Sequence, residues 1–146
     1  MGVKLGLDAK LYRNTGTPGS PTWVEMTNVK DLTLNLEASE ADVTTRGNAG
    51  WRATLAALKD ASIEFEMVWD TEDAAFTAIK DAFFGSTSVE FAVMDGDITV
   101  TGSQGLQAVM SITNFSRSEP LEEAISVSVT AKPTYATAAP SWMTVP

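Results

Sequence analysis

Glu64 and Glu66 stand two residues apart in "ASIEFEMVWD", a spacing at which two carboxylates could be cast as the acid and base of glycoside hydrolysis. Any two residues so spaced on a strand share a face, so a solvated strand face accounts for them without chemistry. Asp95-Gly96-Asp97 hints at calcium, but the further ligands of an EF-hand loop are missing and a hairpin turn explains the triplet. "GSQGLQ" lacks the Lys and the glycine spacing of a phosphate loop. Asn114-Phe115-Ser116 has the form of a glycosylation acceptor, which matters only in a secreted chain, and "MGVKLG" places Gly6 where myristoylation wants Ser or Thr. The chain contains no histidine and no cysteine. That removes the commonest general base, thiolate metal sites, disulfides, and both Ser-His and Cys-His nucleophile pairs. No catalytic, cofactor or metal site is expected.

The 146 residues fit one domain with a real core, and 19 acidic against 10 basic residues give a formal charge of −9. A surface of this sign repels nucleic acid and anionic membrane, because phosphate binding needs clustered Lys and Arg. No apolar run is long enough to span a bilayer, and the amino terminus lacks the apolar core of a signal peptide, so the expectation is a soluble protein made in the cytoplasm.

The elements that would hold a surface in place are mostly strands. Near-period-two alternation predicts a first strand near residues 3–13, ended by "NTGTPGSP". In "TWVEMTNVKDLTLNLE", Leu32, Leu34 and Leu36 alternate with Asp31, Thr33, Asn35 and Glu37, a sheet with one wet face. Ile63, Phe65, Met67 and Trp69 point inward from the next strand. Thr71, as N-cap, followed by Glu72 and Asp73 opens a helix over about 72–84, with Phe76, Ile79 and Phe83 at helical spacing and Gly85 placed as its C′ residue. "TSVEFAVMDGDITVTG" reads as two strands joined at Asp95-Gly96. "GLQAVMSITNFS" and "EAISVSVTAKPTYA" add two more, joined around Pro120. The fold class is mainly β: a β-sandwich or partly closed β-barrel with one flanking helix, residues 1–132, and an extended carboxy-terminal arm, 133–146, carrying Trp142 and Met143.

Between the alternating segments lies "DVTTRGNAGWRATLAALKD", part of a loop over about residues 40–60. A loop of more than roughly 12–15 residues is usually functional or disordered, and this one combines Trp51 with Arg46 and Arg52, a composition found at interfaces. Two readings of Trp51 stand open. Either it is buried by another molecule, or Trp51, Leu55 and Leu58 form one face of a short amphipathic helix that folds back on the core. Arg46 reads as a solvated charge unless a carboxylate meets it. Glu37, Glu64, Glu66 and Glu90 form either one acidic wall or a dispersed solubilising surface.

Taken in order, these parts resemble the major tail tube proteins of long-tailed bacteriophages and related prophage elements. The resemblance runs from about Val3 to Trp142. It is carried by the strand "NVKDLTLNLE", then "EADVTTRGNAGWRATLAALKDASIEFEM", the acid-started helix ending "AFFG", "VEFAVMDG", and the closing "FSRSEPLEEAISVSVTAKPT". It implies a β-sandwich or barrel with one flanking helix that assembles into hexameric rings, with inner strands lining a channel for genome DNA. It maps residues 40–60 onto the ring-stacking loop, with Asp42, Arg46, Trp51 and Arg52 at matching positions and Leu55 beside them. It assigns subunit contacts to the terminal arms, hence to Trp142 and Met143.

Implied partners are further copies of the chain and the tail initiator, terminator and tape measure proteins, in a virion tail assembled in the host cytoplasm. DNA would pass without specific binding, past a lumen for which Glu37, Glu64, Glu66 and Glu90 are the acidic candidates. Three rivals accompany this reading: the tube of a related contractile injection or secretion machine, a ligand-binding β-sandwich using Trp23, Trp51 and Trp69, and a carboxylate-only hydrolase.

Overall fold

The computed structural model describes residues 3, 5–17, 20–134 and 139–146. Its strands are β1 (Lys10–Asn14), β2 (Trp23–Glu25), β3 (Val29–Asp42), β4 (Thr54–Val68), β5 (Ser88–Met94), β6 (Gln104–Ser118), β7 (Ser126–Pro133) and β8 (Ser141–Thr144), with one helix, α1 (Ala74–Gly85), between β4 and β5. All belong to one open antiparallel sheet in the order β2-β1-β5-β6-β7-β4-β3, with β8 added beside β6. The sheet curls on itself, so that Phe65 of β4 meets Phe91 of β5 edge-on at 6.1 Å between ring centres. It therefore has two layers. A wall of β3, β4, β7 and the second half of β6 faces a back layer of β2, β1, β5 and the first half of β6.

The strand β6 serves both layers. Residues 105–111 pair with β5, and residues 110–118 pair with β7. Leu106, Ala108, Met110 and Ile112 point into the core; a register shift between Ile112 and Asn114 then changes the parity, so Phe115 and Arg117 stand opposite the inward residues Val129 and Val127. A bulge of this kind bends and twists its strand, which is how one strand can turn from one layer into the other. At the start of β6 the backbones of neighbouring strands within the back layer crowd: a side chain on Gly105 would collide with the Val93 carbonyl and lie 2.8 Å from the Met94 Cα of β5.

Between the layers lie Ile63, Phe65, Met67, Phe91, Met110, Val127 and Val129, all buried. The alternation in β4 and β7 assigns these faces correctly, with Ser62, Glu64, Glu66, Ser128 and Thr130 on the opposite side. The helix closes the core against β6 and β5 through Ala75, Phe76, Ile79 and Ala82.

Four local expectations are corrected. The first strand is Lys10–Asn14, while Gly6–Asp8 form a 3-10 turn. The helix begins two residues later than Thr71 and Glu72 imply. Asp70 accepts the Glu72 amide and Asp70 to Asp73 form a turn, leaving the Asp73 carboxylate to cap the Phe76 amide at 3.1 Å. At the other end Gly85 is still helical and Ser86 takes the left-handed conformation, φ 54°. Asp95-Gly96 does not make a tight hairpin. Asp95 and Gln104 close a longer loop in which Asp97 accepts both the amide and the hydroxyl of Thr99, and the Ile98 amide donates to the Tyr12 hydroxyl at 3.1 Å. Burial raises the Tyr12 pKa above the ordinary phenol value. Ile98 packs beside Tyr12, Ala92 and Met94, so the loop is held as a cover rather than a strand.

Replacing Gly105 with Ala should destabilise the fold by about 3 kcal/mol, since backbone and not a flexible side chain must give way. Chemical denaturation of that variant beside Asp73→Ala, which loses only a cap worth about 1 kcal/mol, checks the ranking.

Candidate assembly surfaces

The expected loop over residues 40–60 is mostly strand. β3 and β4 remain paired out to Asp42↔Thr54, so only residues 43–53 form the loop. "ATLAALK" has helix propensity, but it continues a ladder already registered by the buried half of β4, and pairing with β3 overrides the propensity. At the outer of the two irregularities in this pairing, between Ala38 and Glu40, the Ser39 hydroxyl accepts the Leu58 amide at 3.1 Å and keeps the two strands joined. A two-stranded ribbon thus projects beyond the core.

Its tip is built by hydrogen bonds within a few residues. The Val43 amide donates to the Ala53 carbonyl, and the Ala53 amide donates to the Thr44 hydroxyl at 2.9 Å. The Trp51 amide donates to the Asn48 carbonyl across Ala49 and Gly50, whose φ values of 51° and 86° are both positive. This is the arrangement that type I′ turns require, and Ala49 occupies a position Gly or Asn would take more easily. The Thr44 hydroxyl, and after it the Thr44 amide at 2.9 Å, holds the Asp42 carboxyl below the usual aspartate range. The hydroxyl proton has two acceptors in reach, that carboxylate and the Ala53 carbonyl at 3.3 Å, and the charged one is the stronger.

Trp51 is 79% exposed at this tip, and Leu55 and Leu58 are 61% and 83% exposed along the ribbon. The reading in which Trp51, Leu55 and Leu58 fold onto the chain's own core as a helix is overturned: they are on a ribbon, facing outward. Leu36 and Val43 are exposed as well, Leu36 in a hollow it shares with Trp142. Arg46 and Arg52 flank Trp51, both exposed, and make no ion pair among the described residues.

Glu37, Glu64 and Glu66 come together. Register pairs Thr33 with Glu64, Glu37 with Asp60, and Glu66 with Ser128, which places them on the outer face of the wall with Asn35, Ser62, Asn114 and Thr130. Asp60 belongs to this face and was not singled out by sequence; only the strand register reveals it. Glu90 does not belong there. It lies on β5 in the back layer, 8% exposed, and accepts a 2.7 Å hydrogen bond from Asn14 Nδ2. The carboxylates Glu64 and Glu66 border a shallow trough floored by Ser128 and Thr130, the outer surface of a strand wall.

Trp23, Trp51 and Trp69, which the ligand-binding reading puts on one recognition surface, are apart. Trp23 packs beside Tyr12, Trp69 packs on Phe76 with ring centres 4.7 Å apart, and Trp51 is at the ribbon tip. The carboxy-terminal residues are seated on the chain's own sheet. Trp142 pairs with Leu106 and donates from Nε1 to Gln104 at 3.0 Å, and Met143 packs against the Tyr12 cluster. Part of the expected arm, residues 135–138, lies outside the described residues.

A curled antiparallel sheet with a projecting ribbon and a polar wall defines a β-sandwich with surfaces suited to assembly. Residues 6–134 match the phage tail tube protein family, and the chain belongs to it. No curated protein matches the chain in sequence. Among solved structures, the fold is similar to a chain from the tail of an empty gene transfer agent particle with C6 symmetry, with a TM-score of 0.75 and 22% identity over 97% of this chain and 99% of that one. It is also similar to a chain of the native gene transfer agent virion (0.74, 19%, covering 97% and 99%). The SPP1 tail tube follows with 0.70 and 16% identity, covering 89% of this chain and 75% of that one.

Two outcomes are expected at the tip. Ala49→Gly should leave the fold intact or raise its stability slightly, whereas Ala49→Val should cost about 1–2 kcal/mol, because a β-branched residue resists positive φ; paired thermal melts decide. The Asp42 carboxyl, lowered in the folded state, contributes stability above the ordinary aspartate pKa and loses it as pH falls through its own lower value. Its NMR titration midpoint should lie below that of a free aspartate, and Thr44→Val should move it back up.

Proposed function

We propose that this chain is the repeating subunit of a tail tube, in which copies close into rings and the rings stack around a channel for genome DNA. The observation that carries the reading is the wall: β3, β4, β7 and the second half of β6 present one polar, acidic face, and both ends of the wall are unpaired. Among the described residues, β3 at one end is paired with β4 alone, and at the other end β6 beyond Ser111 is paired with β7 alone. Strand directions make the junction of one copy's β3 with the next copy's β6 antiparallel, so the wall continues from subunit to subunit. Ring closure by such heterologous pairing removes the exposed edges. The C6 symmetry of the gene transfer agent tail supports six copies per ring.

In this arrangement Glu37, Asp60, Glu64 and Glu66 face the lumen. Acids there repel DNA phosphates over a Debye length of about 8 Å, so the duplex slides without binding. The ribbon reaches the adjacent ring, where Trp51 and Leu55 become buried and Arg46 and Arg52 meet acids; Asp42 holds the tip that presents them. Trp142 contributes to subunit contacts from the carboxy-terminal strand. The role is structural and not enzymatic, in a virion tail assembled in the host cytoplasm with initiator, terminator and tape measure proteins.

Negative-stain microscopy of the purified chain should show rings or tubes. Trp51→Ala should melt within about 1 °C of the parent, because an exposed side chain adds little to the isolated fold, yet yield rings that do not stack. Large thermal destabilisation, or normal tubes, would each refute the stacking role.

A further inference from the structure

An aromatic row leads out of the core along α1 and ends in solvent. Phe76 packs between Trp69 and Phe115, Phe83 stacks on Phe115 at 6.0 Å, and Phe84 meets Phe83 edge-on at 5.4 Å. Phe84 is 75% exposed. The predicted helical face contains Phe83 but not Phe84, and the fold itself does not use Phe84: Ala75, Phe76, Ile79 and Ala82 bury the helix without it. The row stands at the unpaired end of β6, on the core side of the wall.

The opposite end of the wall has a complementary feature. Where the sheet fails to close, a slit of about 690 Å³ opens between β1 and β3. Its apolar lining comes from Leu7, Leu11, Met26, Leu32 and Leu34, and its charged lining from the Lys10–Glu25 ion pair, Lys30 and Asp31; Leu7 is 91% exposed. Leu32 and Leu34 point to the core side of the wall from its free edge, packing only partly on the core.

We propose that Phe84 is an intersubunit knob that enters the β1–β3 slit of the neighbouring copy in the ring. The proposal rests on the ring assembly above and specifies how its neighbours lock. Three observations select a second copy as the occupant. The knob and the slit lie at opposite ends of one wall. Both are on its core side, so adding β3 of one copy to β6 of the next brings them face to face. The levels agree as well: Phe115, which carries the aromatic row, pairs through Val129 and Phe65 with Leu32, a residue of the slit. An aromatic ring inserted among the leucines of this slit buries roughly 150–250 Å², and aromatic residues are enriched at interfaces. The contact is heterologous, so each copy uses its knob on one neighbour and its slit on the other, as a ring demands.

The absence of cysteine makes the test direct. Chains carrying Phe84→Cys are mixed with chains carrying Leu7→Cys or Lys30→Cys and oxidised under assembly conditions, with each variant alone as the control. Phe84→Asp and Phe84→Trp are compared by thermal melting, sedimentation and electron microscopy. The expected result is a crosslinked dimer in a mixture but not in Phe84→Cys alone. Phe84→Asp should fold normally yet need about tenfold or more higher concentration to form rings, while Phe84→Trp should assemble. Parent-like rings from Phe84→Asp, or crosslinking only of Phe84→Cys to itself, would overturn the knob and leave ring assembly standing. A parent chain that never forms rings or tubes, even when seeded with a tail initiator complex, would overturn both. Unfolding of Phe84→Asp would also overturn the proposal, by making Phe84 a residue of the subunit's own fold.

Discussion

Backbone hydrogen bonding along β6 is the constraint on which the molecule depends. One strand of 15 residues supplies partners to β5, β8 and β7, and so belongs to both layers. The close approach at Gly105 brings it against β5, and the register shift at Thr113 turns it from the back layer into the wall. Without that turn the inward residues of β4 and β7 would have no opposite layer to pack on. The same turn also carries β6 away from β5, leaving its final residues with an unpaired edge.

The core's closure and the surface's incompleteness therefore have one origin. A sheet that curls into two layers without closing keeps two free edges, and those backbone groups are tolerated only in water or against another strand. Three other features accompany the edges: a slit with leucines and charged residues beside one, an exposed aromatic side chain beside the other, and a ribbon extending past the core with Trp51 at its tip. In the proposed tube each of the three is covered by another copy.

Much of this was legible in residue order. Alternation in β4 and β7 separates core from wet face, and Trp51 with Arg46 and Arg52 gives the segment an interface composition, while those residues alone leave Trp51 open to burial on its own core. The errors have identifiable causes. Residues 54–60 looked helical or irregular because local propensity cannot register a ladder inherited from the buried part of β4. Asp95-Gly96 looked like a hairpin because nothing nearby in sequence announces that Tyr12 will hold the Ile98 amide. Glu90 was grouped with Glu64 and Glu66 by charge and strand placement, but it sits in the other layer and is covered. Helical spacing assigns Phe83 to the buried face and is silent on Phe84, because periodicity does not show what the other face carries.

The sequence by itself determined the β class, the inward residues of the alternating strands, the absence of histidine and cysteine chemistry, and the acidic balance, since composition and period are local properties of the chain. Tertiary structure alone decided which acids share a face, where the sheet stops, and which apolar side chains remain outside. Those outcomes depend on strand register and on partners distant in sequence, such as Phe65 with Phe91 and Asn14 with Glu90. Register, unlike periodicity, is fixed only when the whole sheet is assembled.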